Sequence, residues 1–282
     1  MNELDERIER AVGSLPVRYA PRPGGYSTAD RFQVELADGR RVFVKSAVEE
    51  NLAGWLRREY EVYSTVQGSF IPRLEGWDDD GLRPLLAIED LSDADWSVNW
   101  TDARVAAVLT AVRELATVEP PAGTPTLREA FADIWDRWPT VANDPEPFLS
   151  LGLRDRVWLD HALPVILDAV ERAPVDGPAL CHFDVRSDNM CFRDGRAVLV
   201  DWNWTSRGNP AADIAAWAPS CAVEGGPPPW EIIGDAGELA AFIAGVWASV
   251  AGLRPPPTAP FVRDLQRRQL AVALDWVDRD LL

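Results

Sequence analysis

Asn189 and Asp201 stand twelve residues apart, and the residues between them spell a β-hairpin. Met190 to Phe192 form one short apolar run. Arg193-Asp194-Gly195-Arg196 is a turn, and Ala197 to Val200 form the returning strand. An Asp-Gly turn between apolar runs is a strong local hairpin signal. The hairpin therefore brings an amide oxygen and a carboxylate side by side. His182-Phe183-Asp184 lies just upstream, with Asn189 five residues after Asp184. A fold built around this stretch, Leu180 to Asp213, must present a polar loop and a hairpin end at one place.

The rest of the chain changes character near residue 90. Residues 2–13 read as a short amphipathic helix with Leu4, Ile8 and Val12 on one face. Phe32, Val34 and Leu36 alternate with polar residues. The turn Ala37-Asp38-Gly39-Arg40 follows, and then Val42, Phe43 and Val44 lead to Lys45. That is a second hairpin. Residues 49–66 read as a helix, and 84–89 as a short buried strand. Beyond Asp90 the periodicity is helical over 102–118, 127–138, 153–172 and about 260–282, interrupted by the small β unit at 178–201. Pro- and Gly-containing loops separate the helices. The fold class is α+β, with a β-rich N-terminal lobe over 1–90 and a mainly helical C-terminal lobe over 91–282.

Charge narrows the partners. Lys plus Arg is 28 and Asp plus Glu is 45, giving a formal net charge of −17. Nucleic-acid backbones and anionic membranes call for basic surfaces, so neither is an expected partner. A cationic acceptor would be steered by such a field, although acidity also serves solubility alone. The three cysteines, Cys181, Cys191 and Cys221, match no CxxC metal spacing and read as reduced thiols. With no apolar leader and no spanning segment, a cytoplasmic protein is expected.

Oxygen donors on a loop and a hairpin suit phosphoryl transfer. That chemistry needs positioning and charge neutralisation more than covalent help. Asp184 can take the proton of an acceptor hydroxyl. Asn189 and Asp201 offer the oxygen ligands that magnesium prefers. Arg186 can neutralise charge on a transferring phosphoryl group, or else form a salt bridge to Asp188 or another carboxylate. Read singly, His182, Asp184 and Asn189 are also ordinary turn and capping residues; the ordered set is what points to catalysis.

The arrangement resembles the catalytic loop and metal aspartate of the protein-kinase-like fold. It is most similar to the aminoglycoside phosphotransferase (phosphotransferase enzyme) family, which includes choline-kinase-like enzymes. The resemblance rests on His182-Phe183-Asp184…Asn189, Asp201-Trp202, Gly208-Asn209-Pro210 and Asp213-Ile214-Ala215. It implies a two-lobed kinase-like fold and an ATP- and magnesium-dependent kinase for a small-molecule hydroxyl. Asp184 would then be the catalytic base, with His182 a structural support of the catalytic loop. Asn189 and Asp201 would hold Mg2+, and Asp213 would brace the loop. Phe183 stands where the family has glycine and would crowd the loop; Asn209 stands where it has aspartate. Lys45, ending Val42-Phe43-Val44, resembles the phosphate-contacting strand lysine. Glu59 or Glu61 would hold it, and Glu59 fits the family's Arg-Glu pattern better. Gly25 and Ser27, in Pro23-Gly24-Gly25-Tyr26-Ser27-Thr28, would line a phosphate loop, or form a simple turn. Ile88-Glu89-Asp90-Leu91 would be the hinge whose backbone meets adenine.

Asp201 is followed within a few residues by Gly208-Asn209-Pro210, and there is no Ala-Pro-Glu sequence. That leaves little room for a peptide-docking segment, so the acceptor is expected to be small. An aminoglycoside or other antibiotic would make this a resistance enzyme. Choline, a sugar or an amino-acid derivative would make it a metabolic kinase. A nucleotide-binding pseudokinase is the third reading. Trp96, Trp100, Trp135, Trp138 and Trp158, near Asp93, Asp95, Asp133 and Asp136, would either wall a cationic acceptor or serve as core packing.

Overall fold

The computed structural model describes residues 2–22, 30–47, 50–130, 132, 137–256 and 259–282, without the side chains of residues 50 and 51. Gly25, Ser27, Asp133, Trp135 and Asp136 lie outside the described residues. The chain forms two compact units: Met1–Ser97 with Asp188–Thr205, and Val98–Ser187 with Ser206–Leu282.

The first unit opens with helix α1 (Glu3–Val12), started by a reciprocal Asn2–Asp5 capping box and ended by left-handed Gly13. Strands β1 (Pro16–Pro21), β2 (Asp30–Leu36), β3 (Arg41–Ser46), β4 (Leu74–Asp78) and β5 (Leu85–Glu89) form an antiparallel sheet in the order β1-β2-β3-β5-β4. Strand alternation divides the work between its two faces. Val34, Val42, Val44, Leu85 and Ala87 turn one way and pack on Ile8 and Val12 of α1. Gly76 lets α1 lie close on β4, because an added Cβ there would collide with the Ala11 carbonyl. The cross-strand partners Arg31↔Lys45, Gln33↔Phe43 and Phe43↔Ile88 belong to the opposite face.

Helix α2 (Glu50–Thr65) buries Leu52, Leu56, Glu59 and Tyr63, one stripe at helical spacing. The hairpin expected from the sequence is β7 (Met190–Arg193) with β8 (Arg196–Leu199), in the register Met190↔Leu199. It joins the rest of the unit through the Asp95–Phe192 bridge and through the Leu199 N–H, which donates to Phe70 O at 2.7 Å.

The second unit is helical: α3 (Asp102–Leu115), α4 (Leu127–Ala130), α5 (Arg137–Asn143), α6 (Glu146–Leu149), α7 (Arg156–Arg172), α8 (Pro210–Val223), α9 (Pro229–Ile232), α10 (Gly237–Ala248) and α11 (Val262–Asp280). A two-stranded pair, β6 (Ala179–Cys181) with β9 (Ser206–Gly208), is inserted among them. Its core centres on Trp138, Phe148, Ile166, Phe242 and Trp276. Trp138 donates to Ala241 O at 2.8 Å, and Gly245 leaves room for its ring.

Several helix boundaries differ from the sequence reading; the helix expected over 102–118 ends at Leu115. In place of the helix expected over 127–138, the described residues hold one short helix at 127–130 and another at 137–143, which buries Trp138 and Val141. The helix expected from 153 begins at Arg156, because the Asp155 carboxylate caps it by accepting the Trp158 N–H at 2.8 Å.

Candidate active site

In the first unit Lys45 projects from β3 and is buried with Glu59 of α2. Lys45 Nζ donates to Glu59 Oε2 at 2.7 Å and Oε1 at 3.0 Å, and to Asp201 Oδ1 at 3.2 Å. Of the two glutamates the sequence offered, Glu59 makes the pair and Glu61 is exposed. Burial opposes the Lys45 charge, but the carboxylates of Asp201 and Glu59 outweigh it and raise its pKa. One ammonium between two carboxylates leaves excess negative charge. Burial pushes Glu59 up to about 7, against the pull of Lys45 and with Asp201 adding to the rise.

Asp201 follows β8 in the left-handed backbone region, at φ 68°. Asn203 Nδ2 donates to Asp201 Oδ1 at 2.6 Å, where Lys45 also donates. Asn203 Oδ1 is buried without a partner. Asn189 ends a short 3₁₀ turn, Ser187–Asn189, and its carbonyl accepts the Val200 N–H at 2.9 Å. The hairpin thus closes as its spacing required.

Asn189, Asp201, Lys45, Glu89 and Leu91 all line one cleft of about 400 Å³, whose other walls include Phe43, Ile88, Val200 and Trp96. The Glu89 carboxylate is held by Arg193 at 2.6 Å and Arg73 at 3.3 Å, and so stays below the usual range despite burial. Leu91 O accepts the Trp96 indole N–H at 2.9 Å. Trp96, with Asp93 and Asp95, belongs to this first unit. Among the described residues no group of three or more His, Cys, Asp and Glu forms a metal cage. The donor set fits a hard cation that takes its other ligands from phosphate and water: one amide oxygen, one carboxylate and an unpartnered buried amide oxygen nearby.

The second unit carries His182, Asp184 and Arg186 on the loop after β6. Asp213, buried in α8, accepts the backbone N–H groups of His182 (2.8 Å) and Phe183. Burial raises its pKa to about 6 against the pull of these N–H groups. The Asp184 N–H donates to His182 Nδ1 at 3.2 Å, which puts the imidazole proton of a neutral ring on Nε2. Arg186 pairs with Asp184 itself at 3.8 Å, and both side chains are about one quarter exposed.

Phe183 does not crowd the loop. It sits at φ 55° and turns its ring into the core, 6.4 Å from the Phe242 ring centroid. The left-handed backbone costs about 1–2 kcal/mol, whereas burying a phenylalanine contributes about 1.5–3 kcal/mol. Burial offsets the strain, and the side chain anchors a position that glycine would leave loose. Asn209 replaces the family's aspartate with an equivalent cap, accepting the Ala211 N–H at 3.0 Å.

Glu224, at the C-terminal end of α8, escaped the sequence reading. It accepts the Ser187 hydroxyl and, at 3.0 Å, the Trp100 indole N–H, so the loop is tied three residues beyond Asp184. No motif announces it, because its partners are far away in sequence. Among the described tryptophans, Trp138 is core, and Trp158 stacks on Phe148 and donates to Asp278. Burial pushes the thiols of Cys191 and Cys221 up to about 12, so they are inert.

An antiparallel sheet beside helix α2, a carboxylate-held strand lysine and a mainly helical second unit belong to the protein-kinase-like fold class. The chain belongs to the phosphotransferase enzyme family, whose model matches residues 18–271. It is a small-molecule kinase of that family, acting on a hydroxyl acceptor. No curated protein sequence matches it. Three solved structures share the fold. A choline kinase from Cryptosporidium parvum Iowa II is 10% identical at TM-score 0.61, covering 100% of this chain and 93% of that one. A macrolide 2'-phosphotransferase type I is 16% identical at 0.54, covering 99% and 94%. An amicoumacin kinase in complex with AMP-PNP, Ca2+ and Ami is 12% identical at 0.52, covering 98% and 94%. At these identities the likeness is one of fold.

Proposed function

We propose that the protein transfers the γ-phosphate of ATP to a hydroxyl of a small organic acceptor, using Mg2+. The observation that carries this reading is Lys45, buried against Glu59 and paired with Asp201, lining one cleft with Asp201 and Asn189. Lys45 holds nonbridging phosphate oxygens, and Glu59 keeps its ammonium in place. Asn189 and Asp201 would hold the metal. The backbone of Glu89 to Leu91 faces the base. Asp184 would accept the acceptor's hydroxyl proton as the hydroxyl oxygen bonds to the γ-phosphorus and the bond from that phosphorus to the β,γ-bridging oxygen breaks, releasing ADP. Arg186, paired with Asp184 at 3.8 Å, sets a positive charge beside the base. When bound, the magnesium nucleotide supplies the phosphoryl group and neutralises the charge on the departing diphosphate.

The acceptor class spans the alcohols named for the fold's relatives: macrolide, amicoumacin, choline and fructosamine. Magnesium-dependent ATP consumption by the purified protein, across a panel of these compounds and aminoglycosides, tests the reading. Turnover that depends on one acceptor establishes the kinase and names its class. Tight MgATP binding with no acceptor-dependent turnover on any alcohol contradicts it in favour of a nucleotide-binding regulator.

A further inference from the structure

Lys45 alone is a poor match for a triphosphate. Its ammonium already serves two carboxylates, Glu59 and Asp201, and the cleft also carries Glu89, Asp90 and Asp188. A polyanion entering this wall needs another cation. Arg31 stands there: it is the cross-strand partner of Lys45, so the two side chains leave the same face of the sheet as neighbours. Arg31 lines the 400 Å³ cleft with Lys45, Asn189 and Asp201. It also lines the adjoining small pocket with Lys45, Glu59 and Asn203. Its charge is felt at both members of the buried pair, pulling Lys45 down and Glu59 down.

We infer that Arg31 is a second phosphate-binding residue of the nucleotide cleft, its guanidinium engaging the polyphosphate beside Lys45. This rests on the kinase reading above. The planar fork presents paired donors to two phosphate oxygens, geometry that a lysine cannot supply. Strand β2 fixes the position of Arg31, so the contact does not depend on a glycine-rich loop. Arg22 enters the same cleft and is held by Gln33 at 2.6 Å, which adds positive charge at its mouth.

The test measures dissociation constants of the full chain for MgATP, magnesium triphosphate and adenosine, in wild type, Arg31→Gln and Arg31→Lys. Arg31→Gln is expected to weaken MgATP and triphosphate on the order of tenfold. Adenosine affinity should be unchanged, and Arg31→Lys should fall between. Circular dichroism and the adenosine affinity report whether each variant is folded. Equal MgATP affinity in wild type and Arg31→Gln overturns the inference and leaves the kinase reading standing. An equal loss of adenosine and MgATP affinity also overturns it, by showing general damage to the cleft. Failure of wild type to bind any nucleotide sinks the kinase reading and the inference with it.

Discussion

The cleft of the first unit and the catalytic loop of the second are held by opposite means. In the cleft, charged side chains hold one another: Lys45 is buried with Glu59 and also pairs with the partly buried Asp201. On the loop, the chain is held by its backbone and its edges. Asp213 takes two backbone N–H groups, Phe183 fills the core, and Glu224 ties Ser187. The cleft invests in fixed charge where a charged ligand is expected. The loop leaves Asp184 partly exposed while its neighbours are locked, which suits a group that must exchange a proton.

The contrast implies that damage to the cleft and damage to the loop will look different. Lys45→Met leaves the Glu59 carboxylate buried beside Asp201 without its ammonium. A loss of about 3–5 kcal/mol in chemical denaturation is expected, together with loss of MgATP binding. A change below about 1 kcal/mol would place the pair in the exposed, weakly coupled class.

Asp213→Asn probes the loop. Folded Asp213 is raised to about 6 from an ordinary 3.8, so the folded protein binds this proton more tightly than the unfolded chain does. Between those values the group makes stability fall as pH rises. The stability of wild type relative to Asp213→Asn should therefore drop from pH 4 to pH 7, by about 3 kcal/mol for the full shift. A difference that is flat with pH would mean Asp213 is charged throughout and fully satisfied by its N–H donors.

Ser187→Ala is the mildest break. It removes one hydrogen bond to Glu224, worth about 1 kcal/mol. The expected result is a several-fold lower kcat with KM for ATP unchanged, because the loop loosens and the cleft does not. A rise in KM for ATP alone would tie Ser187 to the nucleotide instead.

Much of this was legible beforehand for local reasons. The Asp194-Gly195 turn between apolar runs specified the hairpin, and the hairpin required Asn189 and Asp201 to meet. The family resemblance pointed to Lys45 and to Glu59 over Glu61; the structure puts Lys45 on the face opposite Val42 and Val44, and Glu59 on the buried stripe of α2. What stayed hidden depends on long-range register or on backbone conformation. Arg31 matters because β2 pairs with β3 in one particular register. Glu224 matters because α8 ends beside Ser187 and Trp100. Phe183 looked obstructive because nothing in the sequence says which way a side chain points at φ 55°.

The most direct test of the division between cleft and loop is Asp184→Asn, with MgATP affinity and acceptor-dependent turnover measured on the same preparation. Turnover should fall by about 10²–10⁴-fold, while the dissociation constant for MgATP stays within about twofold of wild type. Turnover that survives would remove Asp184 as the base; loss of MgATP affinity in step with turnover would show that the loop and the cleft do not carry separate tasks.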